Sequence, residues 1–189
     1  MQIKHLRQSN KKRKKPYGAK DKRGRIRNRI SIDARPEIVT QKTRLGDWEI
    51  DTVIGRNHQG ALVTIVDRVA KFTLIKKLDS KHAEVVTEAI INLLQSYLDK
   101  TLTITADNGK EFAGHETIKE QLNADVFFAH PYHSWERGLN ENTHGLIRQY
   151  FTKGSSFESI IDDEVEAVMN KLNHRPEGVN NPCNRLFST

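Results

Sequence analysis

Three carboxylates that are far apart in the 189-residue chain are the first candidates for chemistry. Asp51 lies within one apolar run, Asp107 follows another, and Glu141 lies between two asparagines in a segment with helical periodicity. Carboxylates that meet at one point repel each other, and divalent cations remove that repulsion. Oxygen ligands favour Mg²⁺ or Mn²⁺ over zinc, and two such ions can support displacement at a phosphate. The three acids therefore predict a metal-dependent site for phosphoryl transfer.

Each acid also has an ordinary structural interpretation. Asp51 could be an exposed strand residue, Asp107 could cap a turn through its side chain, and Glu141 could lie on a solvated helix face. Four further acids compete for a place in such a site, and spacing alone does not reject them: Glu49, Asp67, Asp79 and Glu111. From the residues alone, the three-acid site is one of several possibilities.

The elements that must position these acids follow a mixed α/β pattern. Residues 47–55 alternate as a strand, with Trp48 and Ile50 on one side and Asp51 on the other. The later elements are predicted, in chain order, as an antiparallel hairpin at 61–68 and 72–78, a helix at 81–98, a strand at 101–107, a helix at 113–122, a strand at 125–130 and helices at 135–151 and 162–173. This order predicts an α/β domain with five strands in a mixed sheet flanked by helices.

Charge divides the chain into a strongly basic N-terminal segment and a mildly acidic remainder. Residues 1–30 hold thirteen Lys and Arg against one acid, a net charge of +12, whereas the remainder carries −5. Contacts between basic side chains and phosphates release condensed counterions, which favours nucleic-acid binding. We therefore predict that residues 1–43, which lack a persistent apolar period, form a flexible arm that contacts nucleic acid. From charge alone, a solubilising tail and a contact with a membrane surface are the alternatives, but the arm has few apolar residues for insertion. Its densest cluster is Lys11, Lys12, Arg13, Lys14 and Lys15.

Composition argues against several other classes of protein. The longest apolar runs are too short to span a bilayer, and no apolar signal core follows the basic N-terminus. The single cysteine excludes an intramolecular disulfide framework and a multi-cysteine zinc site. These features predict a cytoplasmic protein with no membrane partner. Four histidines invite a zinc interpretation, which we reject because they show no ligand-like pairing: His115, His130, His133 and His144.

Four sequence blocks resemble one family. TADNGKEF at 105–112, followed by HPYHSWERGLNENTHGLIRQYF at 130–151, resembles the catalytic core of DDE transposases and retroviral-type integrases. With GDWEIDTVIG upstream and LNHRP downstream, the chain is similar to the bacterial insertion-sequence thirty branch of that family. The resemblance covers about residues 45–176, so we expect an integrase-type catalytic core at 44–176 and a divergent tail at 177–189.

The resemblance implies a ribonuclease H-like fold and divalent-metal-dependent cleavage and transfer of DNA strands during transposition. The acidic triad of the family maps onto Asp51, Asp107 and Glu141, which would hold two Mg²⁺ or Mn²⁺ ions. Double-stranded DNA, as element ends and as target, would be the partner. A homo-oligomer would assemble on that DNA, at the nucleoid.

Further residues near these blocks take roles under the resemblance. Arg148 lies nearly two helical turns after Glu141 and is suited to a DNA phosphate, or it is an exposed helix arginine. Asn108 would let the backbone approach a phosphate, or it makes the turn after its strand. Tyr132 and His133, at the entrance to the helix, would contact DNA or pack in the loop.

Relatives in the family are usually longer and carry a helix-turn-helix region upstream, whereas this chain begins with a basic arm. The alternative hypothesis is a truncated, catalytically incompetent DNA-binding fragment that partners or inhibits a full-length transposase. A ribonuclease H-type or junction nuclease would share the fold, but the 105–112 and 130–151 blocks disfavour it.

Overall fold

The computed structural model of the chain describes residues 26–131 and 133–175. The basic cluster at 11–15, Tyr132 and the tail at 177–189 lie outside the described residues, so the expectations placed on them stay predictions. The described part forms a mixed sheet that is covered by helices on both faces.

The sheet contains six strands, and its second strand along the chain lies near the centre. In chain order they are β1 Ile30–Ser31, β2 Asp47–Ile54, β3 Ala61–Asp67, β4 Thr73–Leu78, β5 Thr103–Ala106 and β6 Asp125–Phe128. Their spatial order is β1-β6-β5-β2-β3-β4. The pairs β2–β3 and β3–β4 are antiparallel, whereas β5 joins β2, β6 joins β5 and β1 joins β6 in parallel.

Five α-helices accompany the sheet in the described residues. They are α1 Glu37–Gln41, α2 Ala83–Leu94, α3 His115–Leu122, α4 Gly138–Tyr150 and α5 Asp162–Asn173. Within residues 26–131 and 133–175, no helix is long and apolar enough to cross a membrane.

The central strand β2 is buried on both faces because each face packs against helices. Trp48 and Ile50 belong to the apolar cluster that includes side chains of α2 and α3, whereas Val53 belongs to the cluster that includes Ile147 of α4. Alternate residues of a strand face opposite sides of its sheet. Asp51 therefore shares the face of Val53, on the side of α4 and α5, as the alternation predicted.

The predicted order of strands and helices is confirmed, but the prediction of five strands is wrong by one. Ile30–Ser31 pairs in parallel with β6 and adds the sixth strand. A strand of two residues has no alternation that a sequence pattern can reveal. Ile26 and Val39 are buried, so residues 26–43, which were assigned to the arm, pack against the sheet domain.

The helix predicted at 135–151 has two parts with different geometry. Ser134–Arg137 is a 3-10 helix, and the α-helix begins at Gly138. Arg137 separates the two parts, with φ −126° and ψ 40°, which is not helical backbone. The break changes the direction of the side chains that precede α4. Among them are Glu136, which lies close to two histidines, and Arg137, which contacts Asp51.

Candidate active site

Asp51 and Asp107 lie side by side where β5 ends. The strands β2 and β5 are parallel, and their register pairs Glu49 with Thr105. The same register, continued along both strands, brings Asp51 level with Asp107, the first residue after β5. Burial raises the pKa of Asp107, and the neighbouring Asp51 carboxylate raises it further. The two acids are therefore within electrostatic reach of each other, although 55 residues separate them.

A side chain at Gly109, in the turn after β5, would displace the carboxylates of Glu111 and Asp107. The Gly109 amide donates a hydrogen bond to Asp107 Oδ1 at 2.7 Å. A Cβ atom at residue 109 would lie 2.5 Å from the Glu111 carboxyl carbon and 2.8 Å from Asp107 Oδ1. Glycine therefore allows the backbone to approach both acids and to hold the Asp107 carboxylate in place.

Arg137 bridges the two aspartates, a contact that sequence reasoning missed. One terminal nitrogen of its guanidinium donates to Asp51 Oδ2 at 2.8 Å, and the other lies 3.6 Å from Asp107 Oδ2. The two carboxylates hold the positive charge of the guanidinium between them, and a divalent cation would be attracted to the same position for the same reason. The available sequence signal was that Arg137 precedes Glu141 by one helical turn.

Glu111 is a further acid beside Asp107. The Thr52 hydroxyl donates to Glu111 Oε1 at 3.0 Å, which ties the turn after β5 to strand β2. The Glu111 carboxylate also contributes to the raised pKa of Asp107, after burial and Asp51. Of the four competing acids, Glu111 is therefore the one that lies beside Asp107.

Glu141 lies in the first turn of α4, and its neighbour Asn140 attaches that turn to β2. The Asn140 side-chain amide donates to the Ile50 carbonyl at 3.2 Å, and its backbone N–H donates to Glu49 Oε2 at 3.3 Å. Asn140 is buried, whereas Glu141 is exposed. The buried asparagine thus positions the helix that carries Glu141 against the strand that carries Asp51.

His144 connects the surroundings of Asp51 and Glu141. Its Nε2 atom lies 3.1 Å from the Thr64 hydroxyl on β3. Burial lowers the pKa of His144, and the carboxylates of Asp51 and Glu141 act in the opposite direction. Both acids therefore lie within electrostatic reach of this imidazole.

Two of the competing acids make buried contacts that serve the fold. Glu49 pairs with Arg68 at 2.6 Å, and both side chains are buried. Asp67 accepts hydrogen bonds from the backbone N–H groups of Gly46 and Ala70. Burial raises the pKa of Glu49 and of Asp67. Their oxygens are engaged inside the domain, which argues against a role as ligands of an entering ion.

Arg148 and Asn108, both predicted to contact DNA, make hydrogen bonds within the domain. Arg148 donates to the Ile54 carbonyl at 2.9 Å, and its guanidinium lies over the Phe157 ring. The Asn108 side-chain amide donates to the Ala129 carbonyl and so joins the turn after β5 to the end of β6. The Asn108 contact agrees with the turn interpretation, whereas Arg148 is partly buried and not the exposed helix arginine of the alternative. A DNA contact for either residue stays a prediction.

His133 lies on the segment between β6 and α4, close to two other polar side chains. Its Nδ1 atom is 3.2 Å from Glu136 Oε1, and His130 Nδ1 is 2.8 Å from the same oxygen. This pairing was not expected, because the sequence analysis found no ligand-like pairing among the histidines. Contact of His133 with DNA stays a prediction.

Sequence comparison connects the chain to transposases of insertion sequences. It is 48% identical over 173 residues to the transposase for insertion sequence element IS4351 of Bacteroides fragilis, which covers 92% of this chain and 53% of that protein. It is 36% identical over 182 residues to transposase InsI for insertion sequence element IS30A of Escherichia coli K12, which covers 93% of this chain and 47% of that protein. The chain spans about half the length of these relatives. No protein-family model matches the chain.

Two solved structures are similar to the chain in fold. The catalytic core domain of BIV integrase matches with a TM-score of 0.58 and 18% identity, over 72% of this chain and 88% of that chain. A chain of the simian T-cell lymphotropic virus intasome in complex with PP2A regulatory subunit B56 gamma matches with a TM-score of 0.56 and 19% identity, over 72% of this chain and 50% of that chain. These matches confirm the predicted ribonuclease H-like fold. Because the sequence identity to insertion-sequence transposases extends over most of the residues of this chain, these findings support a DDE transposase of the IS30 branch.

Proposed function

We propose that this chain is the catalytic core of a transposase that cleaves DNA strands at element ends and transfers them to target DNA. The observation that carries the proposal is the pair Asp51 and Asp107, which meet across β2 and β5 with the cationic Arg137 between them. Glu141 is the third acid, on a helix that Asn140 attaches to β2. The names of the relatives support the same class of reaction.

Asp51, Asp107 and Glu141 would hold the divalent metal, which we propose to be Mg²⁺ or Mn²⁺, as two ions. All their ligand atoms are carboxylate oxygens, which hard cations prefer. Asp107 is an acid whose charge is disfavoured by burial and by a neighbouring carboxylate, and a bound cation would offset both costs. When bound, such ions activate an attacking oxygen and stabilise a leaving oxygen at phosphorus. Arg137 would share the aspartates with the metal or give them up to it.

The proposed reaction forms no covalent bond to the protein. In the first step a water oxygen bonds to phosphorus, the bond from phosphorus to the 3′ oxygen breaks, and the 3′ oxygen leaves as a hydroxyl while the water loses a proton. In the second step this 3′-hydroxyl loses its proton and bonds to a phosphorus of the target, whose own 3′ oxygen leaves. Asp51 and Asp107 are held by the central strands through both steps, and such fixed positions lower the cost of alignment.

The partners that we propose are the double-stranded DNA of the element ends and of the target. Transfer of two ends into one target calls for more than one active site, so a homo-oligomer on the DNA is part of the proposal. The intasome whose chain shares this fold is consistent with such a complex. A transposase of chromosomal elements would act at the nucleoid.

The proposal is tested by a nicking assay on a labelled duplex that carries the inverted repeat flanking the gene. We expect the full chain to nick the duplex with Mg²⁺ or Mn²⁺ and not with chelator. The Glu141→Gln variant should lose nicking by about 10³-fold or more, because a site without its third carboxylate would hold the charge-stabilising ions poorly. Glu120→Gln, at an exposed position of α3, is the matched control and should retain activity.

DNA binding must be measured beside nicking, because it separates two ways of losing activity. We expect Glu141→Gln to bind the duplex as the unaltered chain does. Binding of DNA without nicking by the unaltered chain, at any concentration of either metal, would contradict catalysis and favour a non-catalytic DNA-binding fragment.

A further inference from the structure

A second cluster of metal-binding side chains precedes α4, on residues to which the proposed reaction assigns no role. His130 Nδ1 and His133 Nδ1 lie 2.8 Å and 3.2 Å from Glu136 Oε1. One potential ligand atom from each of the three residues lies within 4.8 Å of the other two. We propose that His130, His133 and Glu136 form a Zn²⁺ site that is distinct from the group around Asp51 and Asp107.

Two successive backbone hydrogen bonds, each spanning three positions, bring these three residues together. The His133 N–H donates to the His130 carbonyl at 3.2 Å, and the Glu136 N–H donates to the His133 carbonyl at 3.1 Å. Bonds of this kind make turns of about three residues, in which side chains three positions apart lie one above another. On an α-helix the third member of such a series would rotate away from the first. The 3-10 helix Ser134–Arg137 thus brings Glu136 back to His133, and the hydrogen bond before it brings in His130.

The ligand atoms of this cluster differ in chemistry from those of the cluster around Asp51 and Asp107. Two imidazole nitrogens and one carboxylate oxygen suit Zn²⁺, whereas Mg²⁺ prefers oxygen ligands alone. Bond lengths of about 2.0–2.1 Å place tetrahedral zinc ligands roughly 3.3 Å apart, which is close to the separations from Glu136 Oε1. The side chains of His130 and His133 are 36% and 42% exposed, so an ion and a fourth ligand from solvent can enter.

Asp33 orients His130 in the way that carboxylates orient zinc-bound histidines. The Nε2 atom of His130 lies 2.9 Å from Asp33 Oδ2, while its Nδ1 atom faces Glu136. A carboxylate that accepts the remote N–H of a ligating imidazole fixes both the tautomer and the ring. The second oxygen of Glu136 accepts the His130 backbone N–H at 2.8 Å, so the carboxylate is oriented as well.

Bound Zn²⁺ would connect two segments that lead to the active site. Through Asp33 it would reach the 3-10 helix at Ile32–Ala34, next to β1, and through Glu136 it would hold the turn that ends at Arg137. The helix carrying Glu141 begins immediately afterwards. We assign the ion a structural role at the entrance to α4, and binding to the folded chain alone would raise its melting temperature.

Cobalt(II) substitution tests the site without any assay of activity. The full chain, with Cys183→Ser to exclude a thiolate ligand, is stripped of metal and titrated with Co²⁺ while visible absorption is recorded. We expect one equivalent to give the intense bands of tetrahedral cobalt, and Zn²⁺ to abolish them by displacement. His133→Ala and Glu136→Gln should each weaken binding at least tenfold. Asp33→Asn should weaken it by about 10-fold to 100-fold, the usual loss when such a supporting carboxylate is removed.

Two controls make each outcome decisive. His82→Ala removes an exposed histidine at the start of α2, and Asp51→Asn alters the carboxylate group; both should keep the tetrahedral spectrum. The melting temperature of every variant in chelator shows whether it is folded. Retention of the spectrum in folded His133→Ala and Glu136→Gln, its loss in Asp51→Asn, or no Co²⁺ binding by the unaltered site would each overturn the proposal.

Discussion

Two acids that lie two residues apart on β2, Glu49 and Asp51, each pair with an arginine, and the two pairs differ in their surroundings. Glu49 and Arg68 are 2.6 Å apart, with side chains 2% and 5% exposed. Asp51 and Arg137 are 2.8 Å apart, with side chains 18% and 14% exposed. Arg137 also faces Asp107, whose side chain is 30% exposed. The first pair is closed by packing, whereas solvent and solutes can reach the second.

The difference shows what separates an acid of the fold from an acid of a site. Glu49 and Arg68 neutralise each other. Removing one partner of a buried pair of this kind strongly destabilises the folded state, because the other charge stays buried and unpaired. Asp51 and Asp107 share one arginine, which leaves net negative charge at a point that is open to solvent. Such a point attracts a further cation, and the closed pair does not.

The largest effect that we expect comes from opening the closed pair. Arg68→Ala should lower the free energy of unfolding by about 3–5 kcal/mol, because the Glu49 charge would stay buried without its partner. Urea unfolding followed by circular dichroism measures the loss. Arg137→Ala should cost less than Arg68→Ala, since its pair is more exposed than the pair of Glu49 and Arg68. Equal losses in the two variants would remove the distinction between the pairs.

Next in size is the effect of a methyl group at the turn after β5. Gly109→Ala should lower nicking activity by about 100-fold, the scale expected when reacting groups are displaced by roughly 1 Å, because its Cβ would press on the carboxylates of Glu111 and Asp107. Gly138→Ala, where a Cβ would meet nothing within 4 Å, is the matched control and should keep its activity. Similar losses in both variants would refute the steric argument.

A smaller effect should follow from removing the arginine of the open pair. In Arg137→Gln no guanidinium competes for Asp51 and Asp107, so Mg²⁺ should bind roughly tenfold more tightly, or about 1.4 kcal/mol. The rise of the melting temperature with Mg²⁺ concentration reports this affinity. If the variant and the unaltered chain respond to Mg²⁺ alike, Arg137 does not occupy the position of the cation.

The smallest effect concerns pH. The pKa of Asp107 is raised in the folded chain, chiefly by burial, so its ionised form costs stability at every pH above the folded pKa. In metal-free buffer Asp107→Asn should therefore unfold with a higher free energy than the unaltered chain at pH 7. This advantage should vanish as the pH falls through the folded pKa of Asp107 and below the ordinary value of 3.8. A variant that is less stable at pH 7 would contradict the sign of the shift.

Periodicity in the sequence predicted the elements whose packing is regular. The alternation of β2 correctly put Asp51 on the face opposite Trp48, because the period of a strand is independent of its neighbours. The limits of α5 were predicted as residues 162–173, and the structure has Asp162–Asn173. The strand β1 and the short helix α1 were absent from the prediction; the two residues of β1 depend on pairing with β6, and the five residues of α1 are too few to show a period.

Side-chain environment is what the sequence could not supply. Glu49 and Asp51 lie two positions apart on the same face of β2, so the sequence pattern treats them alike. Only the contacts of Glu49 with Arg68 and Asn140 show that Glu49 is the buried acid and Asp51 the open one. Arg137 was missed because its spacing from Glu141 does not show which acids its guanidinium contacts, whereas the structure has it against Asp51 and Asp107. Predicting such contacts requires the backbone angles of each turn, and a hydrophobic pattern does not give them.

The central claim is that Asp51, Asp107 and Glu141 together hold a divalent cation. Mn²⁺ binding, measured from the electron paramagnetic resonance signal of unbound Mn²⁺, tests it most directly in the unaltered chain and in Asp107→Asn, Glu141→Gln and Glu111→Gln. We predict that Asp107→Asn and Glu141→Gln each weaken binding roughly tenfold or more, about 1.4 kcal/mol, while Glu111→Gln binds nearly as the unaltered chain does. Binding that survives in Glu141→Gln but is lost in Glu111→Gln would contradict the claim and make Glu111 the third ligand.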